Sequence, residues 1–124
     1  MDTEYATLEV YCEALDTLAV VYASLCQDGI SSALSLRILT WPTYLTGEFA
    51  DLAKQRRPRA LVILAHYLIF MKLVPDLWWI DGIADREIGI IAKILSPEWH
   101  PFLQTPLRAT SLTKLEEIVQ LLLE

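Results

Sequence analysis

Apolar residues recur at helical spacing along most of the chain. Leu8, Tyr11, Cys12, Leu15, Leu18, Ala19, Tyr22, Leu25 and Cys26 form the first such set, and Glu4, Glu9, Glu13 and Asp16 decorate the remaining surface. The pattern predicts one long amphipathic helix. Gln27-Asp28-Gly29 supplies its stop, because glycine takes the left-handed conformation after a helix end without a Cβ clash. A shorter segment, Ile30 to Leu39, leads to Thr40-Trp41-Pro42. There Thr40 as N-cap and Pro42 in the first turn predict a helix whose inner face is Tyr44, Leu45, Phe49 and Leu52, ending before Pro58.

Arg57-Pro58-Arg59 opens the next element. From Ala60 to Met71 the residues are apolar on every side of the wheel except for His66 and the hydroxyl of Tyr67, and such a helix must be wrapped by others. Pro75 is expected to break it. Trp78-Trp79 follow, with Asp81 placed to cap a helix carrying Ile83, Ile90, Ile91, Ile94 and Leu95. Ser96-Pro97-Glu98 predicts a short turn through Trp99 and Phe102. Pro101 and Pro106 should then interrupt the chain until Thr113-Lys114-Leu115-Glu116, which has the form of a capping box before the stripe Leu112, Leu115, Ile118, Val119 and Leu122. No window alternates with period two. The expected fold is all-α: one domain over residues 1–124, a compact bundle of about five to six helices around a central apolar helix at 58–73.

Composition changes this picture in one respect. The hydrophobic share of 54% exceeds that of ordinary soluble domains, and mean hydropathy is +0.37, so some apolar surface is left over for a membrane, a ligand cavity or a partner subunit. The apolar run between Arg59 and Lys72 is shorter than the roughly 18–20 residues a membrane span needs, and the acidic start Met1-Asp2-Thr3-Glu4 lacks the features of a signal peptide. An intracellular, cytoplasmic protein is expected. A net charge of −6 opposes nucleic-acid binding, and the basic cluster Lys54, Arg56, Arg57 and Arg59 reads as a solvated helix junction. Cys12 and Cys26 fall on one helix about 21 Å apart, too far to bridge, and no zinc-type spacing is present. Neither metal nor cofactor is expected.

Three segments, read together, resemble the C-terminal ligand-binding region of fungal zinc-cluster transcription factors of the sterol uptake control type. They are Trp41-Pro42 with Phe49 and Leu52, the run Arg57-Pro58-Arg59-Ala60-Leu61-Val62-Ile63-Leu64-Ala65-His66-Tyr67, and Trp78-Trp79-Ile80-Asp81-Gly82 followed by a helix with Leu95 and Trp99. The likeness covers about residues 11–106, and 107–124 looks like an additional C-terminal helix. Thr105 stands where the family usually has tryptophan before the final proline, and the cysteine cluster that holds two zinc ions and reads DNA is absent from this sequence. The resemblance implies an all-helical fold, a homodimer and a sterol-like ligand in an apolar pocket, with nuclear placement if the chain is part of a full-length regulator. With Met1 as the natural start, the chain is not expected to read DNA alone.

Candidate chemistry is sparse. His66, an imidazole in an apolar helix, is the candidate catalytic or hydrogen-bonding residue, against the plainer reading of a core histidine. Trp41, Tyr44, Tyr67, Phe70, Trp78, Trp79 and Trp99 are candidate walls of a pocket for a bulky sterol-, terpenoid- or polyketide-like molecule, although aromatics at helix junctions also fill gaps between helices. Tyr67 points about 100° away from His66, so the two are not expected to serve one site. With two histidines and no nucleophile beside a base, any enzyme here would be a cofactor-free cyclase or isomerase that works by shaping its substrate. A stand-alone binding module, such a cyclase, and a fragment of a full-length regulator are the three functional expectations.

Overall fold

The computed structural model describes the backbone of residues 2–45, 47–74 and 78–124, and the side chains from residue 7 onward except those of Tyr44 and residues 78–81. Among the described residues there are seven α-helices, two 3-10 turns and no strand, which bears out the all-α expectation. Contacts divide the chain into two units, Met1–Ile63 and Leu64–Glu124, each described by itself.

In the first unit, α1 runs Asp2–Asp28, α2 Ser32–Thr40 and α3 Gly47–Lys54, with a 3-10 turn at Trp41–Tyr44. Gly29 ends α1 as expected: it takes φ 64, and its N–H donates to the Leu25 carbonyl at 2.9 Å. Ser31 then caps α2, its hydroxyl accepting from the Leu34 N–H at 3.1 Å. The helix expected from Thr40 through Leu52 is instead two pieces. Thr40 makes no cap bond, because its hydroxyl donates back to the Leu36 carbonyl at 2.7 Å and so completes α2. Pro42 accordingly opens a tight turn.

α1 packs against α2, α3 and the 3-10 turn. Its buried face is Val10, Tyr11, Ala14, Leu18, Val21 and Leu25, not the whole predicted stripe. Leu8, Cys12, Leu15, Ala19, Tyr22 and Cys26 are exposed. Leu34 and Ile38 from α2, with Trp41 and Phe49, fill the rest of this core.

α4, Pro58–Met71, begins at the expected proline and continues into a turn through Val74 made by i to i−3 bonds. Its mean hydropathic character is matched by burial of Ala60, Leu61, Ile63, Ala65, Tyr67, Leu68, Ile69 and Phe70. Pro75 lies outside the described residues. In the second unit, α5 spans Trp78–Ile94, so Asp81 falls inside its first turn and not ahead of it. A 3-10 turn, Pro97–Leu103, leads into α6, Gln104–Ala109, and α7 covers Leu115–Leu123.

Pro106 does not interrupt the chain as expected; it sits third in α6, where an N–H would have no intrahelical acceptor to lose, and it is buried. The Thr113 capping box is also not formed: Lys114 occupies the N-cap position and no side chain bonds there. One charged residue belongs to this core. Lys72 is fully buried, and its ammonium donates to Asp85 Oδ1 at 2.7 Å, the Ala109 carbonyl at 2.7 Å and the Leu112 carbonyl at 2.8 Å. Three donors meet three acceptors, so the desolvated charge is fully satisfied.

Candidate functional site

Trp41 follows directly on the last residue of α2, its backbone N–H still bonded to the Ile38 carbonyl, and Pro42 turns the chain immediately after it. That geometry drives the indole inward against α1, where 1% of it remains exposed. A buried indole N–H needs an acceptor. Nε1 donates to Thr17 Oγ1 at 3.0 Å, and that hydroxyl passes its own proton to the Ala14 carbonyl at 2.9 Å. Phe49 meets the ring edge to face, with centroids 6.2 Å apart and planes at 79°.

Beside this anchored ring lies a partly open cavity of about 210 Å³. Thr17, Val20 and Val21 of α1, Arg37 of α2 and Trp41 line it. The walls are apolar apart from the Thr17 hydroxyl, already engaged, and the Arg37 side chain, which is exposed and forms no ion pair among the described residues. The site therefore offers apolar contact inside and one permanent positive charge beside it. Its volume is below the roughly 300–1,000 Å³ typical of sites that enclose a drug-sized ligand.

Of the residues singled out in the sequence, Trp41 lines this cavity. The side chains of Tyr44, Trp78 and Trp79 lie outside the described residues. His66 is half-buried on α4, and Tyr67 and Phe70 on the same helix are buried. Burial pushes the Tyr67 phenol up to about 12, so it is neutral at any physiological pH. Trp99 is half-buried in the second 3-10 turn and packs at a tilt on Phe102, centroids 5.7 Å apart.

Thr17, Val20, Val21 and Arg37 escape sequence reasoning. The nearest signal is that Thr17 interrupts the apolar side of α1, which a buried partner with a proton to donate would explain. Nothing local identifies that partner, because the indole comes from 24 positions along the chain.

Metal chemistry has no visible holder: among the described residues no group of three or more His, Cys, Asp or Glu side chains converges, and Cys12 and Cys26 are free and exposed. Among the described residues no helix is long and apolar enough to cross a membrane.

Comparison with known proteins agrees in part with the resemblance. Over 72 residues the chain is 33% identical to a Zn(2)-C6 fungal-type transcription factor of Gibberella zeae, a match covering 56% of this chain and 15% of that relative. The chain is thus distantly related to a fungal zinc-cluster regulator and corresponds to a small part of it. No family model matches the chain. No solved structure does either.

Proposed function

We propose that this chain is the effector-binding part of a fungal zinc-cluster-type regulator, and that the cavity beside Trp41 receives one end of a bulky apolar molecule of the sterol, terpenoid or polyketide kind. The observation that carries the reading is the recess itself: an apolar cavity walled by a buried indole held in place by Thr17 and Phe49. A rigid aromatic wall binds a flat or branched hydrocarbon with little loss of side-chain entropy. The small volume points to partial insertion, with the rest of the ligand outside. DNA reading and nuclear placement would then rest on other parts of such a regulator, in keeping with the −6 net charge of this chain.

Binding is favoured over the cyclase alternative by the lining. The lining holds a guanidinium and a Thr17 hydroxyl whose proton is committed to Ala14, and no carboxyl, imidazole or thiol suited to general acid or base work. Native mass spectrometry of the whole chain with ergosterol and with farnesol tests the reading. A one-to-one adduct is expected with at least one of them. Val20→Trp, which fills the recess from its exposed rim, should weaken that adduct tenfold or more without lowering the melting temperature. No adduct on the wild-type chain, or an adduct indifferent to Val20→Trp, would remove the cavity from consideration.

A further inference from the structure

The recess beside Trp41 has one charged wall, and its position follows from the geometry of α2. Leu34 and Ile38, one turn apart, are the buried face of that helix. Arg37 and Trp41 form the next pair one turn apart, because Trp41 keeps helical angles, φ −49 and ψ −46. Arg37 therefore stands on the side of the helix where the indole turns inward. It is the one charged residue of α2, and it is exposed. A cation in the last turn suits the helix dipole, but the dipole asks only for a place near the end of α2, not for one on the rim of a recess.

Every other lining residue is uncharged: Thr17, Val20, Val21 and Trp41. Among the described residues no carboxylate lies within ion-pair distance of Arg37. The Thr17 hydroxyl already accepts from Trp41 and donates to Ala14. A single positive charge beside apolar walls of low dielectric has its field focused into the opening. Such a field favours an anion and gives a neutral hydrocarbon nothing.

We infer that the molecule this recess receives is an acid, an apolar body with one carboxylate held at the rim by Arg37. The inference rests on the recess being a ligand site and adds the chemical class of the ligand. A guanidinium presents paired N–H donors in one plane, which the two oxygens of a carboxylate meet together. One charge meets one charge. A phosphate monoester, about −1.5 to −2 at neutral pH, would leave negative charge unmatched on a chain whose net charge is −6. Volume sets the distance between the apolar end and the head. At roughly 30 Å³ per water-sized group, a cavity of about 210 Å³ takes about seven non-hydrogen atoms, so the carboxylate stands about that many atoms from the inserted end.

Octanoate has a chain of that length beyond its carboxylate, and octanol is nearly the same chain with a neutral head. Each is titrated into the isotope-labelled whole chain at neutral pH and followed by NMR, with binding located by the shifts of the Trp41 Nε1–H and the Val20 and Val21 amides. With no partner for the charge, octanol would bind tighter, because an ionised carboxylate is much harder to remove from water. Arg37 should reverse that order. Octanoate is expected to bind about threefold to fivefold tighter, the range of a well-formed ion pair at a partly exposed rim, with a dissociation constant on the order of 1 mM for so small a ligand. The advantage should shrink as salt is raised from about 0.02 to 0.5 M. Arg37→Gln should make octanol the tighter ligand, and because the position is exposed the fold should survive the change.

If octanol shifts the recess as readily as octanoate, or octanoate keeps its lead in Arg37→Gln, the acid is overturned while the recess stands as a ligand site. Octyl phosphate binding tighter than octanoate would overturn the choice of a carboxylate. Failure of both octanoate and octanol to shift the recess would remove the site, and the inference with it.

Discussion

The two units solve the same problem, closing short helices on a longer one, with different chemistry. In Met1–Ile63 the polar fastening is neutral: an indole donating to a threonine, beside a cavity and next to a helix face left open. In Leu64–Glu124 it is ionic, with Lys72 tying the end of α4 to α5 and to the carbonyls at the end of α6 and in the turn after it. The contrast teaches where spare apolar surface can be kept. A neutral bond costs little to leave near a recess, while a buried ammonium tolerates no gap, because every unmet donor would carry a desolvation penalty of several kcal/mol. The unit with the weaker fastening holds both the candidate site and the exposed face of α1.

Substitutions that loosen each fastening sharpen this comparison. The largest effect is expected at Asp85→Ala, which strands the Lys72 charge in the core and should cost about 3–5 kcal/mol in chemical denaturation. Lys72→Met should cost less, since Asp85 keeps 31% of its side chain in contact with water and can be solvated there. If the two substitutions prove equal, or Lys72→Met the worse, the ionic account of the second unit is wrong.

Thr17→Val is the counterpart in the first unit. It preserves shape but removes the acceptor of the Trp41 N–H, and stranding that buried donor should cost about 1–3 kcal/mol. The cavity should be affected more than the fold, so a comparable loss of ligand affinity is expected with most stability retained. A cost as large as that of Asp85→Ala would erase the distinction between neutral and ionic fastenings.

The smallest effect at neutral pH concerns the tyrosines. Tyr67 has a folded pKa of about 12 against 10.0 for an ordinary phenol, so the folded state holds the proton more tightly. Its contribution is complete below pH 10 and is lost as pH rises from there through 12. Burial also raises Tyr11 in the first unit, but Arg57 and Arg59 pull it back. Melting followed from pH 9 to 12 should therefore show an alkaline slope that Tyr67→Phe flattens more than Tyr11→Phe does. The opposite ranking would place the alkaline weak point in the first unit.

Much of the fold was legible locally. Gly29 after α1, Pro58 opening α4 and the all-round apolar run up to Met71 were read from the chain, and the structure puts them where expected. Local reading failed where two local rules competed. Thr40 could cap a new helix or close the old one, and its back-bond to Leu36 shows that the second prevailed. Pro106 looked like a breaker because proline's harmlessness depends on its position within a helix, and that position was set by where the preceding 3-10 turn ended. Of the candidate site, Trp41 was legible as an aromatic at a helix junction. Arg37 and the three α1 residues facing it were not, since a cavity is a property of surfaces brought together from distant positions.

The sequence by itself determined that α1 is a helix with apolar residues at spacings of three and four and that it stops at Gly29. Periodicity sets angles around a helix axis, and two seams 100° apart satisfy the same pattern equally well. Only the tertiary structure decided between them: α2, α3 and Trp41 cover the seam of Leu18 and Val21 and leave that of Leu15 and Ala19 in water. Burial of Lys72 was decided in the same way. Its charge is tolerable in a core only because Asp85, Ala109 and Leu112, from three different places in the chain, converge on one ammonium, and that convergence is a product of packing and not of any local pattern.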